Sequence, residues 1–397
     1  MTNSAHDSND ITVVGGGVIG MSIAWEMASI GYRVRLVDAS RLGTAASWAA
    51  AGILPATPPL ASELLEPIEC LRSLSHELYP DWTRKIKDYA GIDTEFRPCG
   101  GVFLSRSRGE HATMLAQEIF WHEQGVQASR FSMQQLAASH STLAALANRL
   151  ESSTTSTTAW FTPGECTVRT PRLLQGLKRA CHMAGVEILE NCEIKEIEIQ
   201  SDNQPITLHT SQHSWQSQYV CVSSGAWTQR LLQPLGLQTG ILPVRGQMLL
   251  YKFDVPPFPM IINEGHRYFV PRLDGHVLAG SCEEEVGFDI SNTDEKITEL
   301  KSWVDTLMPD WNDRHFVSAW AGLRPGSFDG LPYIGSLPDH PNLIVASGHY
   351  RSGVHLAPGT AKIVASLVTQ MPLPIDISAF HLTRGAILAG SSQLSEI

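Results

Sequence analysis

Apolar residues in this chain fall into short dense runs separated by glycine turns and by stretches of helical period. The first run, Ile11-Thr12-Val13-Val14, ends in Gly15-Gly16-Gly17-Val18-Ile19-Gly20. Residues 21–30 then follow a helical pattern, and a second run, Val34-Arg35-Leu36-Val37, closes on Asp38. Short apolar runs bounded by turn signals read as strands, and apolar residues at helical spacing as helices. The order predicted is therefore strand, glycine turn, helix, strand.

The same reading continues along the chain. It predicts helices over 63–89 and 111–125, with a glycine turn and short strand at 100–104 between them. Thr170-Pro171 opens a helix over 172–184, because proline suits the first helical turn. Gly185 ends that helix before a strand at 186–189. Residues 194–199 alternate Ile with Lys and Glu, as a half-exposed strand does. Residues 219–222 read as a buried strand running into Ser223-Ser224-Gly225-Ala226-Trp227, and as the last parallel strand of the first α/β unit. From 236 to 316 the texture changes to antiparallel strands joined by turns such as Asp274-Gly275. A strand at 343–346, a turn at Gly348 and a helix over 353–369 return to α/β.

The fold class that follows is α/β, with a discontinuous Rossmann-like dinucleotide-binding domain and an antiparallel-sheet-rich substrate domain. The first is assigned 10–92, 162–227 and 318–390, the second 93–161 and 228–317. The polar run 152–158 reads as an exposed loop without chemistry. At 397 residues and 43% hydrophobic content the chain exceeds one ordinary core, which agrees with two domains.

Net charge is -11, which argues against a nucleic-acid surface. It does not exclude a small anionic substrate, since one buried Arg can hold a carboxylate. The seven cysteines show no C-x-x-C spacing, so neither a disulfide framework nor a metal site is expected. The polar residues 1–10 lack a signal-peptide pattern, and no apolar stretch is long enough for a membrane span. A cytoplasmic protein is the expectation.

The first strand–turn–helix–strand carries the earliest chemistry. In a G-x-G-x-x-G turn Gly15 permits the bend, Gly17 admits a pyrophosphate and Gly20 lets helix and strand pack closely. Phosphates would sit at the helix N-terminus, and Asp38 would accept a hydrogen bond from a ribose hydroxyl. Bulky side chains are nearly absent over 43–55. That stretch is either an Ala-rich helix start or backbone lying against a flat cofactor.

Trp320-Ala321-Gly322-Leu323-Arg324-Pro325-Gly326 and Gly348-His349-Tyr350-Arg351-Ser352-Gly353-Val354-His355-Leu356-Ala357-Pro358 add specific motifs. With the N-terminal fingerprint, and with His266-Arg267-Tyr268-Phe269-Val270-Pro271-Arg272 and Asp329-Gly330-Leu331-Pro332-Tyr333-Ile334-Gly335, the chain resembles the D-amino-acid-oxidase-like flavoproteins over residues 10–390. Within them it is most similar to the glycine oxidases of the thiamin thiazole branch.

The resemblance implies FAD, bound without a covalent link because no Cys follows Cys282. It implies flavin-nucleotide contacts from Val18, Ile19, Asp38, Ala39, Ala46, Ser47, Ala51, Gly52, Ile53 and Ile194. His349, Tyr350, Arg351, Ser352, Gly353, Val354 and His355 match the loop and helix start under the flavin ring. Arg324 matches the family's carboxylate anchor, Arg351 a second Arg lining the pocket, and Tyr268 a Tyr that helps hold the substrate. Glu283 stands where relatives carry an apolar residue, which leaves substrate size open. His266 and His349 are assigned no catalysis, because a neutral amine needs no protein base for hydride transfer.

The activity implied is oxidation of glycine or another small amine to an imine, with dioxygen as acceptor. Rival readings are a D-amino-acid or sarcosine-type dehydrogenase with another acceptor, and a non-catalytic flavin-binding partner. The resemblance also carries a homo-oligomeric precedent, and no metal is expected.

Overall fold

A computed structural model describes residues 8–62, 65–151, 157–200, 204–311 and 314–384. Of the polar run, residues 152–156 lie outside the described residues, and Thr158 already opens the strand Thr158–Thr162.

The strands Ser8–Val14, Val34–Val37, Glu187–Leu189, Ser214–Val222 and Leu343–Ser347 run parallel in one sheet. Their register aligns Val14 with both Val37 and Val222, Val37 with Leu189, and Val222 with Val345. Four strands therefore end together at one edge, where open α/β sheets bind ligands. The helices Val18–Ser29, Thr170–Met183 and Gly353–Thr369 contribute to one core with this sheet, built on residues such as Ile11, Met21, Leu36, Leu173 and Val364. Ser214–Val222 is not the last parallel strand: its far end pairs with Leu343–Ser347, which takes that position. A strand 120 residues downstream gives no local signal of its neighbour.

The second large sheet has the order Phe316–Gly326, Leu242–Lys252, His276–Gly280, Arg267–Pro271, Ile261–Glu264, Gly101–Ser105, Thr158–Thr162, Ser129–Phe131. The expected boundary at 317/318 falls inside its first strand. Residues 318–326 belong to this sheet because they pair with Leu242–Leu250. A small third sheet, Ile53–Leu54, Cys166–Thr167 and Arg97–Pro98, joins segments from both halves.

Local signals account for several element ends. The long helix begins at Pro67, with proline in its first turn, and ends at Gly91 with φ 68. The helix Arg108–Glu123 starts earlier than its apolar period suggests, because Ser107 and Glu110 form a reciprocal capping box. In the strand expected over 194–199 only Glu196–Glu198 pairs as one.

Gly20 shows how tightly the first turn is built. A Cβ there would overlap the Gly15 carbonyl oxygen and crowd Ser223 Oγ. Gly20→Ala should therefore cost at least about 2 kcal/mol, as overpacking against immovable backbone does. Gly109→Ala, on an exposed helix with open space around it, should be neutral or slightly stabilising. Denaturant unfolding of the two variants beside the parent checks the contrast.

Candidate active site

The cavity begins at the aligned strand ends. Gly15 has φ 113, and a Cβ on it would strike the Ser223 backbone. Ser223 N–H donates to Val14 O at 2.8 Å, and the Ser223 and Ser224 hydroxyls donate to Val14 O at 3.2 and 3.1 Å. The turn is thus fastened to the end of the strand Ser214–Val222. The helix Val18–Ser29 then starts at Gly17 with no side-chain cap on that residue and no acid in its first turn. Ser47 Oγ accepts from Val18 N–H at 2.9 Å. A helix N-terminus of this kind favours an anion.

Asp38 follows the second strand. Its Oδ2 accepts from Gly16 N–H at 2.6 Å, and its Oδ1 from Ser40 N–H and Oγ at 2.7 and 2.8 Å. Its own backbone is held between Leu189 O at 3.0 Å and Cys192 N–H at 2.8 Å. Ala39 and Ile194 line the same end of the cavity.

The small-residue stretch forms one wall. Four successive carbonyls are engaged by the protein: Ala49 O by the Trp320 indole N–H at 3.1 Å, Ala50 O by Thr170 Oγ1 at 2.9 Å, Ala51 O by Arg272 Nη2 at 2.6 Å, and Gly52 O by Val168 N–H at 2.9 Å. Small side chains let these donors reach the backbone. Arg272 is buried, and its Nη1 also donates to Thr167 Oγ1 at 2.6 Å and Val168 O at 3.0 Å. Burial lowers its pKa to about 10, so it remains a cation at neutral pH.

The second sheet, antiparallel except where Ile261–Glu264 runs parallel to Gly101–Ser105, supplies the opposite wall. Its register places Trp320, Met248, Gly280, Tyr268, Asn263 and Phe103 in one row across adjacent strands. Directly opposed residues share a face, and Met248, Tyr268, Asn263 and Phe103 line the cavity. Arg324 lies on the same face, four residues beyond Trp320. Its Nη2 donates to Ser281 Oγ at 2.8 Å and its Nη1 to Cys282 O at 3.0 Å. It packs across Gly246, where a Cβ would overlap the guanidinium. Tyr268 O–H lies 3.4 Å from the same Ser281 Oγ.

Residues 349–355 complete the cavity. Tyr350 is left-handed at φ 47, and its N–H donates to Pro325 O at 3.0 Å. The helix Gly353–Thr369 then presents a second N-terminus without an acidic first turn. His349 is buried against Thr360 Oγ1 at 3.1 Å, and burial lowers its pKa to about 3. His355 is buried with its Nε2 3.3 Å from His76 Nδ1, and burial holds it neutral as well. Neither can act as a strong base.

Together these segments enclose about 900 Å³, toward the upper end of small-molecule sites at ~300–1,000 Å³. All the sequence-predicted site residues line it except Gly20, whose part is close packing of the turn. Sequence reasoning missed the Ser223–Ser224–Gly225 edge, Met248, Asn263, Phe103 and Glu165, which also line it. The Ser-Ser-Gly step directly after a buried strand was a usable signal for the first; the others are brought in by cross-strand register.

The description "FAD dependent oxidoreductase" belongs to the family model that matches residues 10–367. The chain is a member of this FAD-dependent family. It is 34% identical to a glycine oxidase of Pseudomonas aeruginosa, over 91% of this chain and 95% of the relative. It is 30% identical to the glycine oxidase of Geobacillus kaustophilus, over 94% and 97%. The crystal structure of a glycine oxidase from that organism superposes with a TM-score of 0.86, covering 95% of this chain and 99% of the other. A "Bifunctional protein ThiO/ThiG" of Trichormus variabilis is 30% identical over 95% of this chain and 55% of its own length.

The residues present fit FAD. Two helix N-termini without an acidic first turn, a glycine approach at Gly17, a carboxylate at Asp38 and a wall of small residues meet in one cavity. Among the described residues no helix is long and apolar enough to cross a membrane, and no cluster suited to a metal occurs. All seven cysteines are free.

Glu165 gives this wall a pH signature. The side chain is buried, bonded by Asn263 Nδ2 at 3.3 and 3.2 Å, and fits only because Gly101 has no Cβ. Burial raises its pKa from 4.5 to about 7. The folded state therefore prefers the neutral acid, and the parent loses stability as pH rises from about 4.5 to 7. A shift of that size corresponds to about 3 kcal/mol. Glu165→Gln should flatten this decline, gaining on the parent at pH 8 relative to pH 5. Thermal melts at the two pH values check the crossing trend.

Proposed function

We propose that this flavoprotein oxidises glycine or another small amino acid, with Arg324 as the carboxylate anchor. The observation that carries the reading is the setting of Arg324: a half-buried guanidinium in the cavity wall whose hydrogen-bond acceptors are neutral oxygens. Other cations lining the cavity differ. Arg72 is paired with Glu69, Lys195 with Glu193 and Arg351 with Glu283, and Arg230 lies over the Phe288 ring at 3.6 Å. This difference supports Arg324 as the group that takes a carboxylate in a forked pair.

Several residues then do the positioning. Arg324 fixes one end of the substrate, and Tyr268 and Ser281 offer hydroxyls beside it. The small-residue wall at 49–52 keeps the opposite side flat and close. Holding a small substrate at one charged point and between two walls aligns its Cα–H, which is the main catalytic contribution of the protein. The chemistry supplied by FAD when bound is acceptance of two electrons and a hydrogen from that carbon, with dioxygen as their final acceptor. No side chain is assigned as a base, since burial makes His349 and His355 poor proton acceptors.

This reading takes 10–92, 162–227 and most of 318–390 as the cofactor half, and the antiparallel sheet, including 318–326, as the substrate half. The similarity to bifunctional thiazole-branch proteins supports a role in making the imine for thiamin biosynthesis. Free cysteines agree with a cytoplasmic setting. A homo-oligomer is part of the same reading by family precedent.

The test is glycine-dependent formation of hydrogen peroxide and glyoxylate by purified yellow protein. Arg324→Ala should lose about 2–5 kcal/mol in kcat/KM for glycine, because the carboxylate is left desolvated and unpaired. The loss should fall mainly on KM. Arg324→Lys should recover part of it, since an ammonium cannot reproduce the fork. Near-parental kcat/KM in the FAD-loaded Ala variant would make Arg324 structural.

A further inference from the structure

A second guanidinium stands at the rim of the same cavity, and its partner is a carboxylate. Arg351 Nη1 lies 2.6 Å from Glu283 Oε1, and Nη2 donates to His266 O at 3.2 Å. The two side chains are 35% and 39% exposed, which puts the pair at the mouth.

The pair is tied to Arg324 through the backbone on both sides. Cys282, whose carbonyl accepts from Arg324, directly precedes Glu283. Pro325, which follows Arg324, accepts from the N–H of Tyr350, the residue before Arg351. Each charged residue of the rim pair is thus one residue removed from a segment bonded to Arg324 or to its neighbour. The left-handed Tyr350 fixes where Arg351 leaves the chain. Two guanidinium groups therefore share one fixed corner of the site. Arg324 meets neutral acceptors, and Arg351 meets a carboxylate already in place.

We propose that Glu283 is a specificity-determining residue: its carboxylate fills the anion position of Arg351 and so denies that position to a second carboxylate on the substrate. The site then accepts amino acids with one carboxylate and discriminates against those with two. This rests on the reading of Arg324 as anchor. A dicarboxylic amine with one end on Arg324 would bring its other end toward the carboxylate of this partly exposed ion pair, and would meet repulsion rather than a partner. Removing the charge of Glu283 leaves Arg351 free to bond that second group.

The experiment uses FAD-loaded parent and E283Q protein, with glycine, iminodiacetate and D-aspartate as substrates. The last two place the second carboxylate on the nitrogen arm or on the carbon arm. In E283Q, kcat/KM for at least one dicarboxylate relative to glycine should rise about five- to ten-fold, the range for a partly exposed charge-assisted pair. The gain should vanish in the E283Q/R351Q double variant. E283D, which keeps the charge, should shift the ratio far less than E283Q.

Binding is read separately. Malonate and acetate are titrated by the change in flavin absorbance, and E283Q should tighten malonate relative to acetate. A ratio unchanged within about two-fold for both dicarboxylates, with no selective tightening of malonate, overturns the proposal. If the parent oxidises no glycine, the functional reading fails on its own and the malonate–acetate comparison decides this one. E283A takes the place of E283Q should the latter not retain FAD.

Discussion

One buried cation connects the parts of this active site. Arg272 leaves the antiparallel sheet and donates to Ala51 O in the cavity wall, and to Thr167 Oγ1 and Val168 O beside the small joining sheet. Bonds from a charged donor are worth about 1.5–3 kcal/mol each, and none of these three acceptors is a carboxylate that a neighbouring side chain could replace. The guanidinium thus fixes how far the substrate sheet stands from the wall at 49–52. Trp320, from another strand of the same sheet, repeats the tie at Ala49 O. The spacing between the two walls is set by these side chains, and the alignment of a small substrate follows from it.

Within that frame, charge is distributed by neighbourhood and not by residue type. Two arginines lie in one corner, and the surrounding backbone gives them opposite states. Arg324 is folded over a glycine toward a hydroxyl and a carbonyl, and keeps its demand for an anion. Arg351 is answered by Glu283. A reading based on the two arginines alone would make them equivalent anchors, whereas their partners separate an anchoring role from a limiting one.

What could be read from the sequence divides along the same line. The glycine turn, the first helix and Asp38 are local, because their chemistry depends on residues within one strand–helix–strand unit. That Arg324, Arg351 and Tyr268 meet in one cavity was legible through motifs. The row Trp320–Met248–Gly280–Tyr268–Asn263–Phe103 was not, because it exists only in the register of six strands drawn from distant parts of the chain. The domain boundary failed for that reason too: residues 318–326 look like the start of the returning α/β segment until their pairing with Leu242–Leu250 is known. Arg272 stood in a motif, yet nothing local says that a basic residue beside a turn is buried. Glu165 had no signal, since its effect depends on the missing side chain of Gly101 across the sheet.

Burial also decides which groups in the cavity can exchange protons. His349 and His355 are kept neutral because the surroundings cannot solvate an imidazolium. Glu165 is kept partly neutral by the same cause acting on the opposite charge type. Three titratable side chains thus line the cavity without adding a full permanent charge to it at neutral pH, while Arg324 retains its own. In a low-dielectric pocket an uncompensated charge has a long reach, so each imidazolium or carboxylate left unformed is one fewer competitor for the orienting field of Arg324. A substrate the size of glycine offers few contacts to grip. Quieting the surrounding titratable groups strengthens orientation by Arg324, and this is a different use of burial from tuning a base.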